Sequence, residues 1–274
     1  MKLNEKAKNI EIKNGVVVVL EALGFKEIWS GLSLMKFLEA TGENKDRGEV
    51  GIEKAIFAWE DIVQFYKATL DNLKQTREIQ SFYERHFVTS FSNVLVLVFE
   101  SRRGDNPARI LPLVGDVLMS AFFVSLSKCI YLRGVISTGE LYLSKDVIMG
   151  PAVEEALVWY TLPDWVGVST TPRASFGLET FVEQGLKVPE FVKYNIPTKT
   201  GVQENGWALA WPKRLIESPP PHTTPRRIVL DTLIDAPMGF LSESTAKNTL
   251  AFFEFVTNTN KKSGQSQALP KGYT

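Results

Sequence analysis

Hydrophobic positions along this chain follow two rhythms. Runs of β-branched and aromatic residues occur at Gly15–Leu20, Phe87–Phe91, Val94–Phe99 and Tyr131–Ser137, and such runs read as strands. Between them, Ile52, Ala55, Ile56, Trp59, Ile62, Val63, Tyr66 and Leu70 recur at helical spacing, as do Ile110, Leu113, Val114, Val117, Leu118, Ala121 and Phe122. Each set predicts an amphipathic helix with one face against a sheet.

The stretch Phe87–Phe99 organises the rest. Its two arms meet at Ser92-Asn93, where a polar turn reverses the chain; an Asn there can bond its own backbone. The second arm is almost continuously apolar, which predicts a strand buried on both faces in the centre of a sheet. Gly15–Leu20 predicts a second central strand ending on Glu21, with Ala22-Leu23-Gly24-Phe25 turning the chain away. A short helix over Lys26–Leu38, a charged loop over Gly42–Gly51 and a charged approach to the hairpin over Asp71–Arg85 complete the first half.

Beyond the hairpin, Arg102–Pro107 reads as a loop before the second helix. Thr138-Gly139 carries the next strand into Glu140–Leu143, and a turn at Ser144–Asp146 leads to a short strand ending at Met149. Gly150-Pro151 then opens a helix over Ala152–Tyr160, since proline is well tolerated in a first helical turn. Trp165–Val168 and Gly206–Trp211 read as further strands, and a last helix carries Leu250, Phe253 and Phe255.

That order predicts an α+β fold: a mostly antiparallel sheet with helices on one face and a split βαβ, ferredoxin-like core. The expected divisions are a main domain over 15–212, an extension over 213–257 packing back on it, and a disordered polar tail over 258–274. Ser218–Pro225, rich in proline, reads as an exposed connector.

Composition narrows the function classes. Across 274 residues, 31 basic and 31 acidic side chains cancel, so nothing in the charge favours nucleic acid or an anionic membrane as a partner. Cys129 is the single cysteine, set in an apolar helical pattern, and His86 and His222 are the only histidines; no intramolecular disulfide is possible and a Cys/His metal site is not expected. Met1–Lys13 has no secretory pattern, and no apolar run approaches the roughly 20 residues that span a bilayer. The expectation is a cytoplasmic protein.

Four landmarks lie in one order: Glu21-Ala22-Leu23-Gly24-Phe25 after the first strand, Ser90-Phe91-Ser92-Asn93, Arg133-Gly134-Val135-Ile136-Ser137-Thr138-Gly139-Glu140, and Met149-Gly150-Pro151-Ala152-Val153-Glu154-Glu155-Ala156. Together, over roughly residues 15 to 212, they resemble the catalytic domain of class III nucleotide cyclases, and most of all the bacterial branch with the Pycsar-type pyrimidine cyclases of anti-phage signalling. The resemblance implies a head-to-tail homodimer with active sites at the subunit interface. The implied reaction is attack of a ribose 3′-oxygen on the α-phosphate of a nucleoside triphosphate, with pyrophosphate leaving. Two aspartates would hold two Mg²⁺ or Mn²⁺ ions, hard cations that prefer oxygen ligands.

At those metal positions this chain has Glu21 and Asn93. The resemblance places Phe25, Ser92 and Gly139 around the nucleotide and Glu154 and Arg133 at catalytic positions, where Glu154 and Val158 replace the asparagine and arginine that many class III cyclases use. Asn93 removes a negative charge and Val158 cannot donate to a phosphate. Two functions follow as expectations. The first is a degenerate cyclase acting as a nucleotide-binding or regulatory dimer. The alternative is an active cyclase making cyclic UMP or CMP as a defence signal, with Glu21 and also Glu140 or Glu154 supplying the missing charge. A structural domain without a nucleotide role is the third reading.

Overall fold

The computed structural model describes residues 11–25, 46–74, 83–145, 147–217, 224–227, 229 and 241–265. At its centre is strand β1 (Lys13–Leu23), buried on both sides because β-branched residues fill it without a break. Val16, Val18 and Leu20 point into a large core on one face of the sheet, and Val17 and Val19 into a smaller core on the other.

β1 lies antiparallel to both β3 (Val94–Ser101) and β4 (Tyr131–Leu143), and β2 (Tyr83–Phe91) folds back on β3 as a hairpin. Helix α1 (Asp46–Lys74) comes between β1 and β2 in the chain, and helix α2 (Leu111–Ser127) between β3 and β4. The strand order β2-β3-β1-β4 with these two crossovers is the ferredoxin-like arrangement.

Beyond β4 the sheet grows. The short strand β5 (Ile148–Met149) pairs with the end of β4, and helix α3 (Pro151–Trp159) leads to β6 (Gly167–Thr170), which runs parallel to β4. Helix α4 (Pro172–Glu183) precedes a hairpin of β7 (Phe191–Thr198) and β8 (Gly201–Leu209), completing, among the described residues, eight strands of mostly antiparallel sheet. β6 meets β8 at a single residue pair, Ser169 with Ala208. Helices α5 (Pro212–Glu217) and α6 (Glu243–Gln265) follow. The α+β class and ferredoxin-like core are as the sequence predicts.

Several boundaries differ. β1 continues through Ala22 and Leu23, so the chain turns only at Gly24 and Phe25. The charged loop expected to reach Gly51 is helical from Asp46 onward, while the helix expected over Lys26–Leu38 lies outside the described residues. Strand β6 begins two residues later than expected, and α4 and β7 were not foreseen. Cys129 lies beyond the end of α2, exposed and in a left-handed turn.

The helices do not all share one face. Trp59, Ile62 and Tyr66 of α1, Val114 and Phe122 of α2 and Phe252 of α6 join the large core, but Ala152, Val153 and Ala156 of α3 pack on the opposite face with Val17, Val19 and Val135. Pro107–Ser127 is long and apolar enough to cross a membrane by length and composition, against expectation, but Val114, Leu118 and Phe122 of its α2 part are fully buried in the protein's own core. Helix α6 continues to Gln265, past Asn258 where a disordered tail was expected, and it buries Phe252, Phe253 and Val256. Thr224–Arg227, at the end of the proline-rich segment, is described and partly helical; 218–223 is not.

Candidate functional site

The ends of β1 and β4 bring together two residues that are 112 positions apart in the chain. Antiparallel register sets Glu21 opposite Arg133, and Arg133 Nη2 lies 2.5 Å from Glu21 Oε2. The Arg133 residue is only 7% exposed and the Glu21 side chain 22%, so the pair is partly buried. Arg133 Nη1 also donates to the Pro163 carbonyl at 3.3 Å, while its Nε is buried with no hydrogen-bond partner among the described residues.

The strands can close this tightly because Gly134 follows Arg133. A Cβ there would lie 2.2 Å from the Val19 carbonyl oxygen, so any side chain would push β4 off β1.

Two further charged residues surround the pair, and neither was singled out from sequence. Lys199 occupies the turn between β7 and β8, and partial burial followed by Arg133 lowers its ammonium pKa, an effect opposed by Glu21 and Asp164. Asp164 accepts hydrogen bonds from Thr245 Oγ1 at 2.6 Å and from Asn248 Nδ2 at 3.4 Å. The group is therefore two carboxylates and two cations, nearly balanced in charge.

Asn93 sits at the hairpin turn, as expected, but its side chain is used locally. Its Nδ2 donates to the Ala22 carbonyl at 2.9 Å, while the Ala22 amide donates to the Asn93 carbonyl at 2.8 Å. Ser92 adopts a left-handed backbone, φ 55°, and its carbonyl accepts from the Trp59 indole at 3.1 Å. These bonds fasten the tip to β1 and α1. Phe91 beside it is 86% exposed.

The remaining candidates are scattered. Phe25 is buried in the large core against Trp59, their ring centroids 6.0 Å apart, and is not free to touch a nucleotide. Gly139 has φ 144°, and a Cβ there would lie 3.1 Å from the Arg173 guanidinium. Glu154 is exposed in the first turn of α3 near Val158, which is exposed too. Glu140 is exposed on β4.

These residues do not fit a two-cation centre. Glu21 is the only carboxylate of the expected pair, and Arg133 already neutralises it; Asn93 is neutral and its amide nitrogen is committed to a backbone carbonyl. Among the described residues no group of three or more His, Cys, Asp or Glu is placed to share a metal. What the arrangement offers instead is the exposed Lys199 ammonium at the β7–β8 turn, beside a guanidinium already held by Glu21 and the Pro163 carbonyl; an ammonium so placed can receive an anion.

No family model matches this chain, and no curated protein matches it significantly. Among solved structures it is similar to the adenylyl cyclase CyaB from P. aeruginosa, with 11% identity, 73% of this chain and 95% of that one covered, and a TM-score of 0.44. It is also similar to the guanylyl cyclase Cya2, with 11% identity, coverage of 73% and 93%, and a TM-score of 0.38.

Proposed function

We propose that this chain is a nucleotide-cyclase-fold protein that has lost metal-dependent cyclisation and acts as a nucleotide-binding or regulatory homodimer. The observation that carries this reading is the Glu21–Arg133 ion pair, which occupies the position where the resemblance to class III cyclases calls for a cation. A carboxylate bound to a buried guanidinium offers a divalent ion little net charge, and Asn93 adds none. The proposed ligand is a nucleoside triphosphate, whose phosphates would be received by the exposed Lys199 ammonium beside the Glu21–Arg133 pair.

The test is to incubate the purified protein with ATP, GTP, CTP and UTP, each in Mg²⁺ and in Mn²⁺, and to search for cyclic monophosphates by mass spectrometry. Nucleotide titration and solution mass are measured in parallel. Saturable binding of a triphosphate by a dimer, with no cyclic product, is the expected result. A cyclic pyrimidine product that disappears in Glu21→Ala would overturn the reading and restore the active defence cyclase. No binding of any triphosphate would leave a structural domain.

A further inference from the structure

The loop Leu162–Val166 lies between Arg133 on one side and the C-terminal helix on the other. Toward the site, its Pro163 carbonyl receives Arg133 Nη1, and its backbone runs beside the β7–β8 turn. The Asp164 amide donates to the Pro197 carbonyl at 2.9 Å, and the Lys199 amide donates to the Leu162 carbonyl at 3.0 Å.

Toward α6, the same loop is held by three side chains from the helix's first two turns. Thr245 Oγ1 donates to Asp164 Oδ1, Asn248 Nδ2 donates to the Asp164 carbonyl at 2.8 Å, and the Val166 amide donates to Thr249 Oγ1 at 2.9 Å. Ser242 caps that end of the helix through the Thr245 amide at 3.1 Å. The next residue of the loop, Trp165, stacks on Tyr194 of β7 and meets Phe252 of α6 edge-on.

We propose that α6 is a clamp that positions Arg133 and Lys199 through Asp164, so that docking of the C-terminal helix and the arrangement of the charged site are energetically coupled. Thr245, Asn248 and Asp164 are positioning residues, since none of them bonds to Arg133 or Lys199 directly. The coupling needs no ligand and runs both ways. Loosening α6 loosens the loop and the turn, and breaking the Glu21–Arg133 pair loosens α6. The clamp rests on the proposed function only for the consequence that a partner engaging α6 would alter nucleotide binding.

The experiment is amide hydrogen exchange on the full chain. Thr245→Val is expected to speed exchange at the Asp164 and Lys199 amides roughly tenfold, the effect of about one lost buried hydrogen bond, with β2 and β3 unchanged. Thr245→Ser keeps the hydroxyl and should restore the parent rates. In the reverse direction, Glu21→Gln should speed exchange in the first two turns of α6.

If Thr245→Val affects only the helix, or Glu21→Gln leaves α6 unchanged, the clamp is wrong and α6 is merely packed on. Triphosphate affinity measured on the same variants separates the two readings. Coupled exchange without any triphosphate binding supports the clamp and overturns the nucleotide-binding reading.

Discussion

Glu21 and Arg133 are direct cross-strand partners on β1 and β4, and their side chains close an ion pair within the sheet's own register. Because Glu21 keeps 22% of its side chain exposed and Arg133 only 9%, removing the carboxylate strands a mostly buried guanidinium. Glu21→Gln is therefore expected to destabilise the protein by about 1–3 kcal/mol, below the cost of breaking a fully buried pair. Denaturant unfolding checks this, and a change below about 0.5 kcal/mol, ordinary for an exposed pair, would show that the pair is not confined as described.

Restoring two aspartates should restore cation binding. With Glu21→Asp and Asn93→Asp together, the hairpin tip gains a unit of negative charge that Arg133 does not already neutralise. Mn²⁺ is expected to bind the double variant roughly tenfold or more tightly than the parent, as read from the free-ion signal in electron paramagnetic resonance. Equal binding by parent and variant would mean that the charge missing at Asn93 is not what keeps the cation out.

The C-terminal helix belongs to the main folding unit. Phe252 is fully buried against Trp165, Tyr194 and Trp211, so Phe252→Ala should cost about 3–5 kcal/mol and lower the single transition of the whole chain. A separate early transition, with the rest unfolding at the parent midpoint, would instead mark residues beyond 212 as an independent unit.

Acidity offers a further check. Burial, and then the Asp116 carboxylate, raise the Glu190 pKa above its ordinary value of 4.5, while Lys213 pulls it down. A raised carboxyl pKa means that the folded state holds its proton longer. Its stabilising contribution is complete below 4.5 and is lost as pH rises through the raised value. Glu190→Gln should gain stability relative to the parent as pH increases across that interval, measured by denaturant midpoints, and parallel pH curves for the two proteins would contradict the assignment.

The sequence showed the ferredoxin-like half of the fold because its signals are local and strong. β1 and β3 are continuous apolar runs, and Gly150-Pro151 marks the start of α3. β7 was hidden because Lys193, Asn195 and Pro197 interrupt its apolar residues, which an edge strand tolerates. α4 was hidden because Gly177 sits on its buried side while Phe176 is exposed, blurring the helical stripe.

For the site, the positions of Glu21 and Asn93 were legible as a strand end and a turn. Their partners were not. Which residue faces Glu21 depends on a register between segments more than a hundred residues apart, and Lys199 and Asp164 belong to turns that carry no motif.

The sheet has a seam. Between β6 and β8 only Ser169 and Ala208 pair, whereas β1 is laddered along its length to both neighbours. In mechanical terms the molecule is a broad plate and a narrow plate joined by one strand pair, the Thr170 hydroxyl on the Trp207 carbonyl and two backbone bonds between the loop 162–166 and the β7–β8 turn, with Arg133 on the broad plate and Lys199 on the narrow one. Sliding along the joint is resisted less by backbone ladders than by the aromatic wedge of Trp165, Tyr194 and Phe252. Since apolar packing weakens on cooling, this joint should soften in the cold sooner than the plates it connects.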